Sequence, residues 1–182
     1  MADSARAAKL KILTYKGVFY GALLFILGVL QVTFFSRINL FNATPDLLLG
    51  AVIVISMYED HKVTTICSIL SGFVYCSLGG FSYPLYLIFS FLCGYILWSL
   101  SEHTFGKNYL SFLALAAITY GAKVMFNIFE PSLTSSSFNL WVVLFDSVIP
   151  EYFSSLIFCS ISYLIFAFST RIMNKKRKSR RI

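Results

Sequence analysis

The chain has 182 residues, 58% of them hydrophobic and 18% aromatic, and a formal net charge of +7. Soluble domains run to about 45–50% apolar residues, so this composition excludes an ordinary water-soluble fold, and the length leaves room for one compact membrane domain and no second one. The charge excludes a nucleic-acid binder: Arg6, Lys9, Lys11 and Lys16 precede the apolar region and Arg171, Lys175, Lys176, Arg177, Lys178, Arg180 and Arg181 follow it, together 11 of the 15 basic residues, with no basic stripe interleaved with stacking aromatics.

A helix needs about 20 apolar residues to cross the hydrocarbon. The pattern predicts an all-α polytopic membrane protein of six transmembrane helices, with residues 1–17 a basic cytoplasmic segment, 18–170 the membrane domain and 171–182 a basic cytoplasmic tail. Span one is Val18 to Phe35, too long for a signal-peptide core and without a small-x-small cleavage site, hence a retained span. After the loop Ser36 to Thr44, span two runs from Pro45 to about Tyr58 and is short. The turn Glu59-Asp60-His61-Lys62 is the clearest internal break. Span three is Val63 to Leu78, ended by Gly79-Gly80, and span four is Tyr83 to Leu100. Span five, Tyr109 to Phe129, is expected to stop at Glu130-Pro131, before a Ser/Thr-rich loop at 132–137.

The last apolar run, Asn139 to Ser169, is too long for one crossing, about 46 Å at ~1.5 Å per residue. Pro150 is expected to divide it, because an interior proline removes a helix hydrogen bond. Leu140 to Ile149 then reads as a membrane-surface helix with Trp141, Leu144, Phe145 and Val148 on one face, and Glu151 to Ser169 as span six. Six crossings put both basic termini, Lys62 and Lys107 in the cytoplasm, in accord with the positive-inside rule, and leave only Arg37 in an outside loop.

Small residues let membrane helices approach closely. Gly17 and Gly21 (with Gly28), Ser68, Gly72 and Cys76, Ser90 and Gly94, Ala117 and Gly121, and Ser155 and Cys159 are the candidate packing stripes. The four cysteines, Cys67, Cys76, Cys93 and Cys159, read as buried packing residues, none in a CxxC pair.

Charged groups inside spans are costly and are functional candidates by default. Lys123 is the foremost, with Asn127 and Glu130 on the same helix face at i+4 and i+7. Two readings stay open for it: pairing with a carboxylate on another helix, or snorkelling to the headgroups. Thr44 as N-cap and Pro45 at the first helical position would put Asp46 where it complements the dipole of span two. Glu151 stands in the same relation to Pro150, and Gln31, deep in span one, can hydrogen-bond across helices. His61 and His103 stand in no metal spacing, and P-loop, GxGxxG and GxSxG signatures are missing. No catalytic, metal or cofactor-binding residues are expected.

Several of these features, in this order, resemble the rod shape-determining protein MreD family. Leu30-Gln31-Val32-Thr33-Phe34-Phe35 is similar to its Gln-containing first helix, Pro45-Asp46-Leu47-Leu48-Leu49 to its Pro-Asp-Leu-Leu element, Gly72-Phe73 to its Gly-Phe step and Gly94-Tyr95 to its Gly-Tyr; span six opens on Pro150 and ends in a basic tail. Many members follow the Gly-Phe step with Gly-Leu and an Asp; here Val74 to Gly80 holds no acid, and any role of that Asp is not carried over. The resemblance implies a non-enzymatic subunit of the bacterial cell-elongation machinery in the cytoplasmic membrane. Its partners would be an MreC-like bitopic protein and, through the complex, MreB and the peptidoglycan synthases. The family also looks like the S-components of energy-coupling-factor vitamin transporters. That makes a small-molecule binder the rival reading, with Lys123, Asn127, Glu130 and Trp141 converging near the outer leaflet.

Overall fold

In the computed structural model, which describes residues 2–35, 37, 44–78, 84–103, 106–134, 141 and 144–179, the described elements are all helical. Helix α1 (Ala2–Leu30) passes into a π-helical turn, Gln31–Phe35. It is followed by α2 (Leu47–Tyr58), α3 (His61–Ser77), α4 (Pro84–His103) and α5 (Tyr109–Thr134). A second π-helical turn, Leu144–Val148, runs into α6 (Ile149–Ser179).

The shortest of these helices is the centre of the bundle. Helix α2 reads LLLGAVIVISMY, apolar on every side, and such a helix has no face to offer water. Every residue from Leu47 to Met57 is buried, and α1, α3, α4, α5 and α6 all pack against it. Outside this core, α3 lies along α4 and α1 along α3. Helix α6 runs antiparallel to α1: Tyr20 stacks on Phe166 at 6.4 Å, and further along α1 Phe35 meets Phe158 at 5.1 Å.

The small residues account for the close helix pairs. A Cβ on Gly94 would lie 2.5 Å from the Ser68 side chain, and one on Gly72 would lie 3.1 Å from the α4 backbone at Leu87. Between them Ser90 Oγ donates to the Ser68 carbonyl at 2.7 Å and lies 3.0 Å from Ser71 Oγ. Gly28 is pressed against Val74 and Leu78, and Gly50 fits beneath Tyr120, Cys159 and Ser162. Cys67, Cys93 and Cys159 are buried, Cys76 is half-buried, and all four are free thiols. Gly17 and Gly121 depart from expectation, because a Cβ on either would meet nothing within 4 Å.

Four boundaries also depart from expectation. Asp46 is itself the N-cap of α2, and Pro45 precedes the helix instead of opening it. Glu130-Pro131 does not stop α5, which continues to Thr134; the proline removes one hydrogen bond and the turn survives. Pro150 does not divide the last run: the helical turn before it, Leu144–Val148, runs straight into α6, and the proline costs one backbone hydrogen bond without breaking the helix. The expected surface helix is, over Leu144–Val148, a π turn continuous with α6. Its i→i+5 winding, with more residues per turn, separates the expected face: Trp141 (69% exposed) and Phe145 (60%) stack on each other facing outward, while Val148 (2%) turns inward. Residues 38–43, 79–83 and 135–140 lie outside the described residues.

Three stretches, Thr14–Phe35, Tyr109–Ile128 and Ile149–Ser169, are long and apolar enough to cross a membrane. At 12 residues α2 reaches only about 18 Å at ~1.5 Å per residue, so its apolarity serves burial inside the bundle.

Candidate functional site

A helix of buried apolar residues still has backbone groups at each end that need partners. At the start of α2 these are supplied from several directions. The Asp46 carboxylate accepts from Leu49 N at 3.1 Å, and Gln31 Oε1, from the π turn after α1, accepts from Leu47 N at 2.9 Å and Leu48 N at 3.2 Å. Asp46 N donates to Ser155 Oγ at 2.9 Å, Tyr120 OH donates to the Asp46 carbonyl at 2.6 Å, and Ser162 Oγ donates to the Leu47 carbonyl at 2.9 Å. The end of the helix is thereby clamped by residues of α5, α6 and the π turn.

A charged cluster grows from the same point. Lys123 of α5, 2% exposed, places its ammonium 2.6 Å from Asp46 Oδ2 and 2.6 Å from Glu151 Oε1. Tyr86 OH donates to Asp46 Oδ2 at 2.6 Å, and Asn127 Nδ2 donates to Glu151 Oε2 at 2.9 Å. The Lys123 ammonium also lies over the rings of Tyr75 and Tyr86, 5.2 and 5.6 Å from their centroids. A buried ion pair holds only when further hydrogen bonds satisfy its remaining lone pairs and protons, and these neighbours do that. Formally two carboxylates share one ammonium. Asn127 Oδ1 is buried with no hydrogen-bond partner.

A second polar cluster closes the other end of α2. Glu59, the C-cap, is buried and forms an ion pair with Lys16 of α1, while Tyr20 OH donates to its other oxygen at 2.8 Å. A carboxylate at a helix C-terminus opposes the dipole, and the Lys16 cation offsets it. Lys16, read in the sequence as part of the basic cytoplasmic segment before the membrane domain, is therefore a buried structural cation.

Of the residues singled out in the sequence, Gln31, Asp46, Lys123 and Asn127 come together here, with Pro45 buried beside them and Pro150 adjoining Glu151. Gly72 and Gly94 lie apart, in the α3–α4 contact. Glu130 lies in α5, and its side chain is outside the described residues. Lys123 takes the first of its two expected roles, pairing across helices. The sequence reading did not assign Glu151, Tyr75, Tyr86 and Ser155 to this site, nor pair Lys16 with Glu59. Glu151 had a signal, an acid opening an apolar span, but a tyrosine among 11 tyrosines has none.

Among the described residues no group of His, Cys, Asp and Glu is arranged to hold a metal ion. No protein-family model, curated protein or solved structure matches this chain.

Proposed function

We propose that the chain is a non-catalytic bacterial membrane subunit that crosses the cytoplasmic membrane six times and acts as a scaffold of the cell-elongation machinery. It would hold an MreC-like bitopic partner and, through it, MreB and the peptidoglycan synthases. The observation that carries this reading is where the polar groups go: Lys123, Asp46, Glu151, Gln31 and the Asn127 amide are spent on one another and on the α2 backbone. Of the residues on which the MreD resemblance rests, Gln31, Asp46, Gly72 and Gly94 serve capping and packing. Gln31 and Asp46 cap α2, while Gly72 and Gly94 seat α3 on α4. The rival vitamin-binding reading needs Lys123, Asn127, Glu130 and Trp141 free to converge on a ligand. Lys123 is taken, Asn127 keeps only its carbonyl oxygen unpartnered, and Trp141 stacks on Phe145 at the surface.

The test is affinity purification of the tagged full-length chain from bacterial membranes in mild detergent, read by mass spectrometry. Recovery of a bitopic wall-synthesis protein with an actin-like filament protein is the expected result. Recovery of an ATPase module or a bound vitamin would replace the scaffold with the transporter component.

A further inference from the structure

The ion pair at the foot of α1 separates its basic residues into two kinds. Lys16 is buried on Glu59, and the helix continues from it toward Ala2 carrying Lys11, Lys9 and Arg6, with Asp3 its only acid. Helix α6 likewise continues without a break past Ser169 to Ser179, carrying Arg171, Lys175, Lys176, Arg177 and Lys178 and no acid. The Tyr20–Phe166 and Phe35–Phe158 contacts show the two helices antiparallel, so both extensions leave the bundle at the same end. Lys107 belongs to that end, with its ammonium 6.0 Å from the Tyr58 ring centroid, and so does Lys62, in the first turn of α3. Every described Lys and Arg except Arg37 and Lys123 therefore lies toward one end of the molecule.

We infer that these two helical extensions form a single platform for anionic phospholipid headgroups, on the bilayer face at the basic end. At ~1.5 Å per residue, Arg171 to Ser179 covers about 13 Å. That keeps its cations inside a headgroup layer of about 5–7 Å plus a Debye length of about 8 Å. The α6 extension, RIMNKKRKS, holds no aromatic side chain on which a nucleic-acid base could stack. Both extensions are continuous with helices apolar enough to sit in a bilayer, which places the charge against lipid before any other anion. The inference rests on the membrane reading and is independent of the scaffold role.

The experiment uses the full-length protein in uncharged detergent, titrated with phosphatidylglycerol or phosphatidylcholine and read by native mass spectrometry. Phosphatidylglycerol should be retained at least about fivefold better at low ionic strength, and the preference should collapse at roughly 0.5 M ammonium acetate. The variant K175Q/K176Q/R177Q/K178Q should lose most of the preference, with K9Q/K11Q as a second, independent reduction. Equal retention of the two lipids, a salt-insensitive preference, variants that keep it in full, or stronger uptake of a short RNA would each overturn the platform. Alkaline carbonate extraction of cell membranes separates the two failures. A chain released by carbonate removes the membrane reading itself, and one that stays but shows no headgroup preference removes only the platform.

Discussion

Lys123 holds together two carboxylates that would otherwise repel. With its ammonium 2.6 Å from both Asp46 and Glu151, removing it leaves the buried Asp46 and the half-buried Glu151 without their shared cation. Breaking a buried pair by deleting one partner costs about 3–5 kcal/mol, because the other charge stays buried and uncompensated. Lys123→Met should therefore lower the thermal unfolding midpoint in detergent by that order of free energy. Asp46→Asn alone should cost less, since the amide oxygen can still cap Leu49 N. Combined, the two should be clearly less destabilising than the sum of the singles. A neutral Lys123→Met would mean that the ammonium snorkels to the surface. A lysine in an apolar run announces its own cost, and that much is readable from sequence. Which acid answers it is not, since Asp46 lies 77 positions away and only the packing of α5 on α2 brings them together.

Helix positions follow from hydropathy and small-residue spacing, and α3 and α4 form almost where those patterns put them. Boundaries that hang on proline do not, because a proline costs one hydrogen bond and a helix packed in a bundle can run through it, as at Pro131 in α5 and at Pro150. The small-residue stripes are legible as candidates, but their use depends on what lies opposite. A Cβ on Gly94 would lie 2.5 Å from the Ser68 side chain, whereas one on Gly121 would meet nothing within 4 Å. Gly94→Ala should force α3 and α4 apart and cost about 1–3 kcal/mol, the range for overpacking a filled contact. Gly121→Ala should stay within about 0.5 kcal/mol. Thermal denaturation of the two variants in the same detergent checks this, and equal effects would mean that the α3–α4 contact is looser than its geometry.

At the scale of the molecule, α2 explains why a 12-residue apolar segment sits among longer helices. Its two ends are closed by separate buried ion pairs, Asp46 with Lys123 and Glu59 with Lys16, so it needs neither leaflet to satisfy it. Around it the charge is strongly sided: the described basic residues gather at the Glu59 end, and the Asp46 end keeps Arg37 and Lys123. The positive-inside rule predicts that the Glu59 end faces the cytoplasm. A cysteine replacing Asp60, the exposed N-cap of α3, should then react with a membrane-impermeant maleimide only after the cells are permeabilised. A cysteine replacing Thr134, where α5 ends away from that side, should react in intact cells. The native thiols provide the baseline, since Cys67, Cys93 and Cys159 are buried and Cys76 lies half-buried within α3. Labelling of the Asp60 position in intact cells, with the Thr134 position protected, would invert the orientation; equal labelling of both would show that the two ends do not lie on opposite faces of a membrane.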